Sequence, residues 1–175
     1  GSAVSIRSQD TGIKSGSGAG ISIEASSLQL SADNVGIECA GHLLLDGGTH
    51  LIETPGGIGI QVCGGPCSLK NCFLRVASRK TGIIVEKDDL QISSATAEIS
   101  ARTGISGSGS LIGTDLHLVI NGEETGLLVK GDLCRLSDGS CAIMGNAALT
   151  FSKDAVFTQM HVTIEAEETG ILTGG

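Results

Sequence analysis

One glycine recurs along this chain at positions 12, 36, 59, 82, 104, 126 and 170, with Ala148 in the remaining slot. The intervals between successive markers are 24, 23 and 23, then 22 four times over. In most units the glycine is followed by Ile or Leu, and in five of them Thr precedes it. So even a period marks a repeat architecture, and it constrains the fold more than any local propensity does.

Inside each unit the apolar pattern has period two. From Thr81 the chain reads TGIIVEKDDLQISSATAEISAR, where Ile83 and Val85, Leu90 and Ile92, and Ala97 and Ile99 alternate with polar or small residues. That spells three short strands per unit, separated by Gly, Asp, Ser, Lys and Glu. No segment carries a helical period. A unit of about 22 residues has a contour near 70 Å at roughly 3.3 Å per residue, which closes into one triangular coil. Stacked about 4.8 Å apart, the coils pair each strand with its copy, parallel and in register. The expected fold is an all-β, right-handed, three-faced parallel β-helix of about seven coils, each spanning about 22–24 residues. The inward ladders run through Ile83, Ile105, Leu127 and Ile171, through Leu90 and Cys134, and through Ile99, Ile120, Ile143 and Ile164. The marker glycine is expected at a corner, where positive φ is tolerated.

Composition agrees with narrow layers of small and aliphatic side chains: 27 Gly, 3 Phe and no Trp or Tyr. Forty per cent of the residues are apolar, too many for a disordered chain. No apolar run reaches the roughly 18 residues of a membrane helix, so this segment is not expected to insert. The net charge is −8 with 11 scattered basic residues. Nucleic acid, which asks for a basic stripe and stacking platforms, is therefore not an expected partner. Gly1-Ser2 reads as a tag scar, leaving 3–175 as a single solenoid domain and, by expectation, a segment of a larger protein. No capping helix is legible, which predicts end-to-end self-association.

The stretches TGIIVEKDDLQIS and TGLLVKGDLCRLS carry a resemblance. They look like coils of large secreted or surface proteins of bacteria. The whole repeat resembles the three-faced β-helices of the pectate-lyase-like superfamily. That resemblance implies an extracellular or cell-surface location and a polysaccharide or a host or cell-surface protein as partner. It is specific for fold and unspecific for activity.

A second period overlies the first. Residues 115–127 read DLHLVINGEETGL and residues 159–171 read QMHVTIEAEETGI, 44 positions apart. His117 and His161 recur in it as candidate zinc ligands, two coils apart and roughly 10 Å from each other. Their parity is outward, Gly139 is expected in their column between them, and no third ligand completes a site. A solvated column is therefore the plainer reading, and neither cofactor nor metal is expected. Glu123-Glu124 and Glu167-Glu168 precede the marker, where adjacent acids could serve calcium or acid–base work. A corner that discourages lateral pairing explains them more simply. Asp88-Asp89 with Lys87 and Lys130 come nearest to the clustered acids and base of a polysaccharide lyase, without matching them. One marker threonine per coil is too few for an ice-binding array of paired threonine columns.

Six cysteines remain. Aligned coil on coil, Cys39 falls where Val85 sits, Cys67 and Cys134 where Leu90 sits, Cys141 where Ala97 sits and Cys72 near Leu116. These five read as small inward hydrophobes. Cys63 has the outward parity. Free buried thiols are expected, with Cys63–Cys67 and Cys134–Cys141 disulfides open as alternatives. The expected role is a non-catalytic, structural or adhesion-like module. Its rivals are a carbohydrate-binding or lyase-like module and an oligomeric spike or filament segment.

Overall fold

A computed structural model describes residues 1–174. Fifteen strands, all in parallel pairing, account for the regular structure, and no helix occurs among the described residues. They are β1 (Ala3–Ser8), β2 (Thr11–Lys14), β3 (Ile21–Glu24), β4 (Ser27–Ala32), β5 (Val35–Cys39), β6 (Leu43–Asp46), β7 (Thr49–Thr54) and β8 (Ile58–Val62). There follow β9 (Cys67–Lys70), β10 (Phe73–Ser78), β11 (Thr81–Val85), β12 (Leu90–Gly107), β13 (Leu111–Val129), β14 (Leu133–Phe151) and β15 (Asp154–Thr173).

The pairing sorts them into three ladders. The first joins β1, β4, β7 and β10 and then the middle parts of β12 to β15. The second joins β2, β5, β8 and β11 and then the ends of those four strands. The third joins β3, β6 and β9 and then their beginnings. This is the expected three-faced parallel β-helix. It has about eight coils, close to the seven expected, because β1 precedes the first marker and opens a further coil. In β12 to β15 the strand pairing continues around the corners, interrupted only by register shifts such as that between Ala101 and Thr103.

The inward ladders follow the sequence pattern. Ile83, Ile105, Leu127, Leu149 and Ile171 stack in one column; Leu90, Leu111 and Cys134 in a second; Ile99, Ile120, Ile143 and Ile164 in a third. All but Ile164 and Ile171, which belong to the last coil, are buried. Phe151 and the half-buried Phe157 meet at 6.2 Å near that end.

The marker glycine has a different cause from the one expected. None of Gly12, Gly36, Gly59, Gly82, Gly104, Gly126 or Gly170 has positive φ. They lie in or beside the second ladder, and the space where a Cβ would point is already filled in the middle coils. At Gly82, Gly104 and Gly126 the occupants are Cγ2 of Ile99, Ile120 and Ile143, together with the carbonyl of the following marker. The corner that takes left-handed backbone in coil after coil is the one between the third and first ladders. Ala25, Gly47, Asn71, Ser94, Asp115, Asp138 and Gln159 form a column there with φ from 47° to 74°. Asn and Asp tolerate this conformation better than other residues with a side chain.

Candidate functional site

Outward positions on the first ladder form the column Phe73, Thr96, His117, Ser140, His161. Beside it runs the left-handed corner column. Together they border an open groove of about 540 Å³ along the solenoid axis, lined among others by Asn71, Phe73, Thr96, Asp115, His117 and Ser140. Asn71, Ser94 and Asp115 of the corner column are exposed, while Phe73 stays half-buried. His117 is exposed, and its Nδ1 hydrogen-bonds to Ser140 Oγ.

His117 and His161 are both exposed and point outward, as their parity implies. They are two rungs apart, roughly 10 Å at the ordinary strand spacing. The residue between them is Ser140, not Gly139, which pairs instead with Leu116 and Met160. The correction has a simple origin. Leu111 pairs with Cys134 at an offset of 23, whereas Thr125 pairs with Ala147 at an offset of 22. One coil has gained a residue at one corner and lost one at another, and the marker spacing hides both changes. Among the described residues no group of three or more His, Cys, Asp and Glu is placed to hold a metal ion.

The acidic pairs lie at the corner between the first and second ladders. Glu124 faces Arg102 Nε at 3.5 Å. Glu123 and Glu167 border a shallow groove of about 310 Å³ with Asn121, Met144, Asn146 and Glu165. With its amide nitrogen turned toward them, Asn146 donates to Glu123 O (3.2 Å) and Glu167 Oε2 (3.3 Å). Asp89 Oδ1 accepts from the Ser110 amide at 2.8 Å, and Asp88 Oδ1 accepts from the Asp89 amide, so both acids hold a turn. Lys14 meets Glu38 at 2.8 Å, Arg75 meets Glu98 at 3.6 Å, and Lys153 pairs with Asp132. Neutral amides follow the same scheme: Asn34 donates to Asp10 (2.9 Å), Asn71 to Asp46 (3.0 Å) and Gln61 to Glu86 (2.6 Å). The ion pairs and these amide bonds all join one coil to the next.

The six cysteines are free thiols. Cys39, Cys67, Cys72, Cys134 and Cys141 are buried, in the columns expected for them, and Cys63 is half-buried on the outward parity. Burial pushes the thiols of Cys67, Cys134 and Cys141 up to about 12 and that of Cys72 to about 11. These groups stay protonated and act as packing atoms.

Sequence reasoning overlooked His50, which lies inside the first ladder with no exposed surface. The signal was present, since His50 falls one coil after Leu28 and one coil before Leu74, and it pairs with both. Compared with known proteins, the chain matches no family model, no curated protein and no solved structure.

Proposed function

We propose that this chain is a non-catalytic solenoid module, structural or adhesion-like, of the kind found in surface or secreted proteins of bacteria. The observation that carries this reading is where the polar side chains spend their bonding. Lys14–Glu38, Arg75–Glu98, Arg102–Glu124, Asn34–Asp10, Asn71–Asp46 and Gln61–Glu86 each tie a coil to its neighbour. The ion pairs among them are exposed and contribute little energy individually, about 0–1 kcal/mol. Repeated along the axis they fix coil register, which is a structural task. The pectate-lyase-like resemblance and an extracellular or cell-surface location belong to the same proposal. So does a polysaccharide or a cell-surface protein as partner.

A carbohydrate-binding or lyase-like module is the second reading. The axial groove favours it, because Phe73 offers an apolar surface beside hydrogen-bonding Asn71, Asp115 and His117. A glycan array combined with a cleavage assay on acidic polysaccharides separates the two. Reproducible cleavage would overturn the structural reading; binding without cleavage would make the groove a glycan site on a structural module. The filament alternative is tested by light scattering over a concentration series, in which a strict monomer counts against it.

A further inference from the structure

His50 is the one histidine whose side chain enters the core. Its column in the first ladder runs Val4, Leu28, His50, Leu74, Ala97, Leu118, Cys141, Val162, with no other ionic or imidazole side chain. Nε2 lies 2.9 Å from Gly47 O. A carbonyl can only accept, so Nε2 carries the hydrogen and the neutral ring leaves Nδ1 bare. Nδ1 is buried and has no hydrogen-bond partner.

Among the described residues no countercharge faces the ring. The strands packed against β7 are β4, β5, β8 and β10. Among them β4 and β8 carry no charged residue, and Glu38 of β5 and Arg75 of β10 take outward positions next to the buried Cys39 and Val76. On β7 itself Glu53 is exposed. On the third ladder Asp46 and Lys70 sit at outward strand ends. The inward titratable groups of these coils are the thiols Cys39, Cys67 and Cys72. Burial lowers the proton affinity of His50 below that of an ordinary imidazole, and its bond to Gly47 only partly offsets this.

We propose that His50 makes the first half of the solenoid acid-labile: a proton taken from water at Nδ1 leaves an unpaired cation between Leu28 and Leu74, and the ladder opens around β7 to hydrate it. The sign follows from linkage. The unfolded or opened chain takes up the proton near pH 6.5, whereas the closed ladder resists it, so stability is intact above that pH and is lost as pH falls below it. The opening is local because a solenoid couples each coil only to its neighbours. The inference stands whatever the lateral faces bind.

Hydrogen exchange of the intact chain at pH 7.5 and 5.5, corrected for intrinsic rates, tests it. Protection of the β4, β7 and β10 amides should fall by as much as about tenfold, the factor set by an opened-state imidazole. Protection in β13 and β14 should change less. His50→Leu, which matches Leu28 and Leu74, and His50→Gln, which stays neutral, should each abolish the fall. His117→Ala, on the surface, should retain it. Equal protection at both pH values in the wild type, or an unchanged fall in both His50 variants, overturns the proposal. Imidazole NMR gives a check that needs no variant: a His50 ring titrating near pH 6.5 while β7 stays protected would overturn it as well.

Discussion

Gly104 has no room for a methyl group. A Cβ there overlaps Ile120 Cγ2 and the Gly126 carbonyl, whereas at Gly170 the nearest atom is Ile164 Cγ2 at 3.8 Å. Gly104→Ala should therefore cost about 2 kcal/mol, as overpacking does, and Gly170→Ala close to nothing, both measured by urea unfolding. Ala148 shows that the slot accepts a methyl where Ile164 of the last coil is only half-buried. The cysteines give a second prediction at this scale. At pH 8 in native buffer a thiol reagent should modify Cys63, and the five buried thiols only after denaturation. Burial raises four of these thiols from the ordinary 9.0, to about 11 for Cys72 and about 12 for Cys67, Cys134 and Cys141. The unfolded chain ionises them first, so stability should decline as pH rises from about 9 toward 12. Cys141→Val, in a column with Leu118 and Val162, should reduce that decline.

At the scale of the element, the corner between the third and first ladders is where the chain stores strain. Ser94 and Asp115 hold φ of 48° and 51°. Left-handed backbone costs an ordinary L-residue about 1–2 kcal/mol, and glycine's extra unfolded-state freedom takes back part of any relief. Ser94→Gly should thus stabilise by about 0.5 kcal/mol, while Asp115→Val, β-branched in the same conformation, should destabilise by about 2 kcal/mol. Paired thermal melts read both. The strands themselves were legible from their period-two pattern, since an inward ladder needs an apolar residue at every second position. The corner column was not, because Ala25, Ser94 and Gln159 carry no signature of left-handed backbone; the stacking of the neighbouring corners imposes their conformation.

Across the whole molecule, burial deepens from the first and last described coils toward the middle. Ile105 is buried in its column, whereas Ile171 and Leu172 in the last coil are 54% and 50% exposed and Val4 in the first is 48% exposed. Among the described residues β1 pairs with β4 alone, and β15 with β14 alone. Ile105→Ala should cost about 3 kcal/mol by leaving a cavity between coils, and Ile171→Ala less than about 1 kcal/mol. Denaturant midpoints measure the difference. A ratio near one would mean that the terminal coils are as well supported as the middle ones, contrary to nearest-neighbour stacking.

By itself the sequence determined the coil: its period, its three strands, the inward columns and the outward parity of His117 and His161. These are additive, local properties, and an even repeat multiplies a weak signal many times over. The tertiary structure decided what depends on the coil above or below. Ser140 lies between the two histidines because two corner changes cancel within a single coil. The marker glycines of the middle coils are needed because an isoleucine methyl from a neighbouring ladder occupies the place of their Cβ. His50 is a bare imidazole in an apolar ladder because Leu28 and Leu74 close over it. No spacing along one chain records such contacts, since each is made between residues far apart along the chain and brought together only by stacking.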